Sequence, residues 1–460
     1  MKYPKLLNRI LALFAIVSLY FITIPASLAQ APSTEDEEIQ QMVDQVSADN
    51  LKKLVEKMES FGTRHTLSTT TDKKRGIGAA REWVKSEFEK YAKASNGRMT
   101  VEMDRFTVKA DGRRIPNDVE MANVMAVLKG TNPNDNRVLV VGGHLDSRAT
   151  DVMDFKSDAP GANDDASGVA MVMEMARIMA PHDFSGTLVF VAFQGEEQGL
   201  YGSKHLAERA KKENWNLVAM QNNDIVGNSY SAELGTHDNT RVRIFSESIP
   251  ANETEDEARL RRTLGAENDS ESRNLARYMK MVGEKYVDQL EVVLGYRSDR
   301  FLRGGDHTPF NQQGYAAVRM SEMNEDFDHQ HQDVRKENGK EYGDFAKFMD
   351  FEYLRKNTAV NLAAMANLGM APYAPEKVSV ITSGLTNKTE LKWEAPAKGK
   401  KPTGYYVLMR ETSSPTWDKR FFVKDTQVTL PYSKDNYFFA VQSTDNESHT
   451  SLPVIPTPSR

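Results

Sequence analysis

The chain of 460 residues contains no cysteine. Disulfides, thiolate nucleophiles and sulfur-ligated zinc are therefore excluded. Any metal must be held by the 9 histidines and by carboxylates. Positive charge is not in excess: 59 Lys+Arg face 65 Asp+Glu, a net charge of −6. That balance offers no basic field for nucleic acid, which is not expected as a partner. Apolar runs long enough to span a bilayer are missing beyond Ile24. What is present, 27% charged and 39% hydrophobic residues, is the composition of a globular chain. A single core rarely grows past ~250–300 residues, so at least two folded units are expected.

The start reads as an export signal. Lys2, Lys5 and Arg9 precede the apolar stretch Ile10–Ile24, and Ala26-Ser27-Leu28-Ala29 offers small residues for cleavage. Residues 1–29 are thus expected to be removed, leaving no membrane span and a periplasmic or extracellular protein. Residues 30–42 are polar and acidic and read as a flexible lead. A body follows over 43–371. Apolar spacing predicts helices at Val43–Ser60, Ile77–Tyr91, Gly168–Met179 and Leu354–Leu368, and buried strands at Val138–Val141, Thr187–Phe193, Leu217–Met220 and Ala316–Met320. Residues 231–275 read as an acidic, mainly surface insertion. Alternating strands and helices imply an α/β three-layer sandwich, a mostly parallel mixed sheet flanked by helices. Pro372 and Pro375 mark a linker over 372–376. Beyond it, residues 377–460 hold short β segments separated by turns, the pattern of an all-β sandwich. Trp393, Gly404-Tyr405-Tyr406 and Tyr437–Ser443 make this tail resemble a fibronectin type III-like domain. It is a possible docking module.

Ligand-type residues collect just past the predicted buried strands, where open α/β sheets place functional groups. The first strand runs into Gly142-Gly143-His144-Leu145-Asp146-Ser147 and the second into Gln194-Gly195-Glu196-Glu197-Gln198-Gly199. The third delivers Asp224, and the fourth is followed by Asp328-His329-Gln330-His331-Gln332-Asp333. Between the first two lies Pro160-Gly161-Ala162-Asn163-Asp164-Asp165-Ala166-Ser167-Gly168, a turn that opens a helix. Each piece alone has a structural explanation, such as an N-cap aspartate or a solvated Glu pair. Together, buried acids and imidazoles at four strand ends are costly unless a cation holds them. Asp164, Glu197 and Asp224 carry three negative charges. Two divalent ions and one shared hydroxide neutralise them, and a set of imidazole and carboxylate without sulfur suits catalytic zinc.

These motifs, in this order over roughly residues 45–370, resemble the di-zinc aminopeptidase and glutamate carboxypeptidase family, metallopeptidase family 28. The resemblance implies two Zn²⁺ per chain and peptide substrates. It assigns His144 and Asp224 to one ion, Glu197 and His329 to the other, and Asp164 as the bridge. His331 competes with His329, and the four-residue spacing from His329 to Asp333 favours His329. Glu196 becomes the general base on the shared water. Asp146 is expected to accept the second ring N–H of His144. Asp306-His307 matches a pocket-lining motif, whereas His65 in Gly62-Thr63-Arg64-His65 is expected to be structural. The implied activity is an exported exopeptidase releasing N-terminal residues. A carboxypeptidase or dipeptidase with the same centre, or a single-zinc glutaminyl cyclase, is the alternative.

Overall fold

Period-two alternation sorts the side chains of the central strands onto two faces. Along Thr187–Phe193, Leu188, Phe190 and Ala192 enter one apolar cluster, while Val189, Val191 and Phe193 enter another. The computed structural model describes residues 35–460, and the expected signal segment 1–29 lies outside them. The main sheet comprises β1 (Met99–Val108), β2 (Val119–Leu128), β3 (Arg137–His144), β4 (Thr187–Phe193), β5 (Asn216–Asn223), β8 (Arg241–Ser246), β9 (Glu291–Gly295) and β10 (Ala317–Glu322). Two short hairpins, β6 (Tyr230–Ser231) with β7 (Thr236–His237) and β11 (Arg335–Glu337) with β12 (Lys340–Tyr342), stand apart. The order across the sheet is β1-β2-β4-β3-β5-β10-β8-β9. β4, β3, β5 and β10 run parallel, whereas β1, β2 and the β10–β8 pair are antiparallel.

Helices cover both faces. On one lie α2 (Ala48–Glu59), α3 (Gly76–Ala92), α4 (Ala166–Met179), α8 (Glu271–Tyr286) and α10 (Phe351–Met370), together with α1 (Glu37–Asp44). The other is covered by α6 (Tyr201–Lys212) and α9 (His307–Gln312), whose Leu206, Ala207, Ala210 and Phe310 pack on Val140, Val191 and Met220. Two further helices complete the body: α5 (Glu196–Gly199) and α7 (Glu255–Leu264). α4 has almost no polar stripe, which fits its burial between α2, α3 and the sheet.

Three expectations change. Residues 37–42 are not a flexible lead. Asp36 caps α1 by accepting from the Ile39 amide at 2.8 Å, and Ile39, Met42 and Val43 are buried against the body. The single helix expected at Val43–Ser60 is two, because Ser47 accepts from the Asn50 amide and starts a new helix. The expected surface insertion contains a sheet strand, β8, with Val242, Ile244 and Phe245 buried. In that stretch α7 and β7 bury nothing.

Past Met370 the chain forms two small sheets. One has the order β17-β14-β13-β19 (Gln427–Leu430, Thr389–Glu394, Glu376–Ile381, Thr457–Ser459), the other β16-β15-β18 (Lys419–Val423, Gly404–Glu411, Tyr437–Thr444). They face each other over a shared core in which Leu391 and Trp393 meet Tyr405, Val407 and Val441. A buried ion network ties this unit to the body. Arg277 of α8 and Arg410 of β15 both reach Asp269, at 2.9 and 2.7 Å, and all three side chains are buried. Asp269→Ala strands two buried guanidinium groups, and is expected to destabilise the protein by ~3–5 kcal/mol. Urea unfolding followed by tryptophan fluorescence measures this; a loss below ~1 kcal/mol would show the network to be dispensable.

Candidate metal centre

β3 lies between β4 and β5, and the chain leaves it on both sides, so the carboxyl ends of these parallel strands splay into a crevice. The last residue of β3 is His144. Its Nδ1 is 2.9 Å from the Asp146 main-chain carbonyl and donates to it. That fixes the tautomer and aims the Nε2 lone pair at two carboxylates, Asp164 Oδ1 at 3.1 Å and Asp224 Oδ1 at 3.8 Å. Asp146 therefore orients the ring through its backbone, and not through its carboxylate as expected; Oδ1 is 3.9 Å from Nδ1. The carboxylate instead accepts the amides of Gly195 (2.9 Å), Glu196 (3.3 Å) and Glu197 (3.2 Å), and so pins the first turn of α5. Gly195 sits at φ 89°, which lets the chain turn sharply from β4 into that helix.

The adjoining acids divide their work. Asp165 is the N-cap of α4 and also accepts the His144 amide at 2.9 Å, so backbone donors occupy both of its oxygens. Gly168 makes this packing possible, since a Cβ there would lie 2.2 Å from the Asn223 carbonyl. Asp164 presents one oxygen to each histidine: Oδ1 to His144 at 3.1 Å and Oδ2 to His331 Nε2 at 2.8 Å. His331 Nε2 also lies 2.7 Å from Glu197 Oε1. The carboxylates form two groups with potential for metal, His144/Asp165/Asp224 and Asp164/Glu197/His331. Because amides already engage Asp165, Asp164 is the acid able to serve both.

His329, expected here, is turned away. Its Nδ1 is 2.8 Å from Asp326 Oδ2 and its ring stacks on Phe348 at 3.7 Å. His331, at φ 54°, takes the place beside Glu197. Spacing to Asp333 was a poor guide, since Asp333 accepts from the Thr150 amide instead.

Electrostatics shows what the crevice prefers. Burial opposes the charge on His144, yet Asp164 and Asp224 raise its pKa well above the usual value. Burial likewise opposes His331, and Glu197 with Asp164 raise it to about 10. The carboxylates thus draw positive charge onto both imidazole nitrogens that face them, and a divalent cation satisfies the same oxygens and lone pairs. Asp224 is held at about 2 against its burial by Arg319 and His144. Glu196, half-buried, accepts no side-chain hydrogen bond among the described residues; loss of solvent, with Glu197, Asp224 and Asp306 near, raises its pKa. Asp306 is fully buried, neither oxygen meets a well-formed hydrogen-bond partner among the described residues, and burial raises it to about 7, with Asp146 and Asp224 adding to the effect and the nearby Ser203 opposing it. His307 donates from Nε2 to the Ser298 carbonyl (2.7 Å) and so fastens the preceding loop rather than the centre.

Several supporting residues escaped the sequence reading. Asp344 accepts the amides of Asn163 (2.8 Å) and Asp164 (2.7 Å) and sets the bridging loop. Asn163 donates to Glu322 at 3.0 Å and accepts the Gly227 amide at 2.8 Å, and an aspartate there would oppose Glu322. Arg319, wholly buried, reaches Asp224 at 2.9 Å and Asp299 at 3.2 Å. A charged residue inside the apolar run Ala317–Met320 was the available signal for it. Arg64 donates to the carbonyls of Leu145 and Gly161, both at 2.8 Å, and His65 lies 2.9 Å from the Val152 carbonyl, a structural role.

Residues 123–349 match Peptidase family M28. A probable zinc metalloprotease of Leptosphaeria maculans is 46% identical, covering 92% of this chain and 97% of its own. Another from Pyricularia oryzae is 44% identical over 94% of this chain and 86% of its own. Among solved structures, the LapA aminopeptidase of Legionella pneumophila superposes with a TM-score of 0.51 at 18% identity, over 74% of this chain and 77% of its own, a likeness of fold. Sequence identity at this level, across both the body and the tail, establishes that the chain belongs to peptidase family M28 and is a zinc metallopeptidase.

Proposed function

We propose that the protein is an exported aminopeptidase that uses two zinc ions and removes N-terminal residues from peptides. His144 and Asp224 would hold one ion, Glu197 and His331 the other, with Asp164 shared between them. The observation that carries this reading is that one carboxylate aims an oxygen at each of two facing histidines, 3.1 and 2.8 Å away. Zinc at such a place supplies an acidified water and polarises a carbonyl.

The protein's own groups supply the rest. Glu196 has an unengaged carboxylate at the mouth, adjacent to a ligand but not tied to either histidine. It is placed to take a proton from water and return it to the departing amine. The uncommitted ionisable groups next to the centre are carboxyl groups, Glu196 and Asp306, both able to accept from an ammonium group. The arginines that touch the proposed ligand residues are engaged: Arg319 by Asp224 and Asp299, Arg148 by the carbonyls of Ala149 and Thr150, and Arg114 by the Glu197 carbonyl. That polarity favours a substrate α-ammonium over an α-carboxylate, and hence an aminopeptidase over a carboxypeptidase. The tail, with its four- and three-stranded facing sheets, supports the reading of a fibronectin type III-like sandwich. No helix among the described residues is long and apolar enough to cross a membrane.

A panel of free and N-acetylated peptides tests this. The zinc-loaded protein should release the first residue from the free peptides only. Release from the carboxyl end, or equal cleavage of the acetylated set, would replace the reading with a carboxypeptidase or an endopeptidase.

A further inference from the structure

Beside the centre lies an open groove of about 630 Å³ whose chemistry the reaction does not use. Four arginines line it, Arg243, Arg297, Arg300 and Arg303, with one acid, Glu325. Glu325 is shared by Arg300 (2.7 Å) and Arg243 (3.5 Å). Arg297 and Arg303 are exposed and have no carboxylate partner among the described residues. Two guanidinium groups without a carboxylate partner among the described residues, lining one groove, are out of keeping with a chain whose net charge is −6. Arg297 is held over the Phe301 ring, 5.6 Å from its centroid, which keeps its fork available for an external acceptor.

The rim of this groove is apolar. Phe301, 75% exposed, and Phe327, 55% exposed, line it, and Leu302, next to Phe301 in the chain though not itself in the lining, is 90% exposed. Leu302 also has a φ of 58°, a left-handed conformation that a leucine adopts at a cost. Apolar side chains presented in this way around unpaired cations mark a binding surface.

The groove is joined to the metal centre along two paths. One is a chain of ion pairs: Arg300 to Asp299 (3.3 Å), Asp299 to Arg319 (3.2 Å), and Arg319 to Asp224 (2.9 Å). The other is the backbone. The segment carrying Phe301 and Arg303 continues directly to Asp306, and the segment carrying Phe327 continues to His331. Through both connections the groove adjoins the residues proposed to hold the metal.

Resting on the peptidase reading above, we infer that this groove selects acidic substrates: peptides with an Asp or Glu side chain within two residues of the scissile bond, whose carboxylate is received by Arg297 and Arg303 while adjoining apolar side chains lie on Phe301 and Phe327. Guanidinium forks bind carboxylates in bidentate fashion, and at a partly open site such contacts weaken with salt.

The test uses the zinc-loaded full-length protein and matched peptides differing only in Glu, Gln or Lys, placed in turn at the first three positions. At one of these positions kcat/KM for the Glu peptide should exceed that for the Gln peptide by about 10-fold or more, through KM, which is the size of one charge-assisted contact. The ratio should shrink between 50 and 500 mM NaCl. In Arg297→Gln/Arg303→Gln it should fall toward unity, and in Arg297→Glu/Arg303→Glu the Lys peptide should become the preferred one. A second arm measures binding of fluorescein-labelled, N-acetylated Glu and Gln peptides by anisotropy, and needs no turnover. Equal handling of Glu and Gln in both arms, or a Glu preference that survives both double variants, overturns the inference. Tighter, salt-sensitive binding of the Glu peptide without release of the first residue from any peptide sustains the groove and removes the aminopeptidase reading instead.

Discussion

Glu196→Gln is expected to keep its zinc and lose turnover by about 10²–10⁴-fold, the contribution typical of a positioned acid–base group. The substitution preserves shape and removes only the ability to accept a proton. Glu196 is suited to this test because its carboxylate has no structural duty: the turn is fixed by its main-chain amide on Asp146, and Glu197 makes the contact with His331. Folding and metal content should therefore be unaffected. Metal analysis alongside kcat checks both halves. Turnover within tenfold of the parent, at the same zinc content, would exclude Glu196 as the base.

The second expectation separates two histidines only two residues apart. His331→Ala should weaken zinc binding at its position by more than ~100-fold, because even groups that merely support a ligand are worth 10–100-fold. Activity should fall with it. His329→Ala should retain zinc and most activity, since its ring contacts Asp326 and Phe348 rather than Asp164 or Glu197. Competition with a chromogenic chelator reads the difference directly. If His329→Ala loses the metal and His331→Ala keeps it, the 331 side of the centre is misassigned.

The contrast between those residues shows where sequence stops being informative. His144, Asp164, Glu196, Glu197 and Asp224 were legible because each closely follows a buried strand or opens a helix, and regular elements fix where the next side chain emerges. The two later histidines sit in an irregular loop, where the outcome depends on which ring Asp326 captures and on a left-handed φ at His331. Asp344 had no signal at all: it lies in a polar loop far along the chain and acts through backbone amides. The strands around β4 and β3 were readable from uninterrupted apolar runs. β1 was not, because it is an edge strand carrying Glu102, Asp104 and Arg105, and charge at an edge hides the alternation. β8 was obscured by the acidic stretch that surrounds it. The nearness of Asp146 to the His144 ring was legible, but not that its carbonyl rather than its carboxylate meets the ring.

The bonds that fasten the terminal sheets to the body bear on how this enzyme matures. Besides Arg410 on Asp269, Tyr278 Oη lies 2.7 Å from Asn367 Oδ1 and 2.9 Å from the Thr450 carbonyl, and the Thr450 amide donates to Asn367 Oδ1 at 3.0 Å. Contacts so directional behave as a mortised joint. Trimming at the 372–376 segment would strip partners from Asp269, Tyr278 and Asn367 at once, so the appended sheets act as a buttress, and a nick there should leave the two pieces clasped together rather than release a freed catalyst.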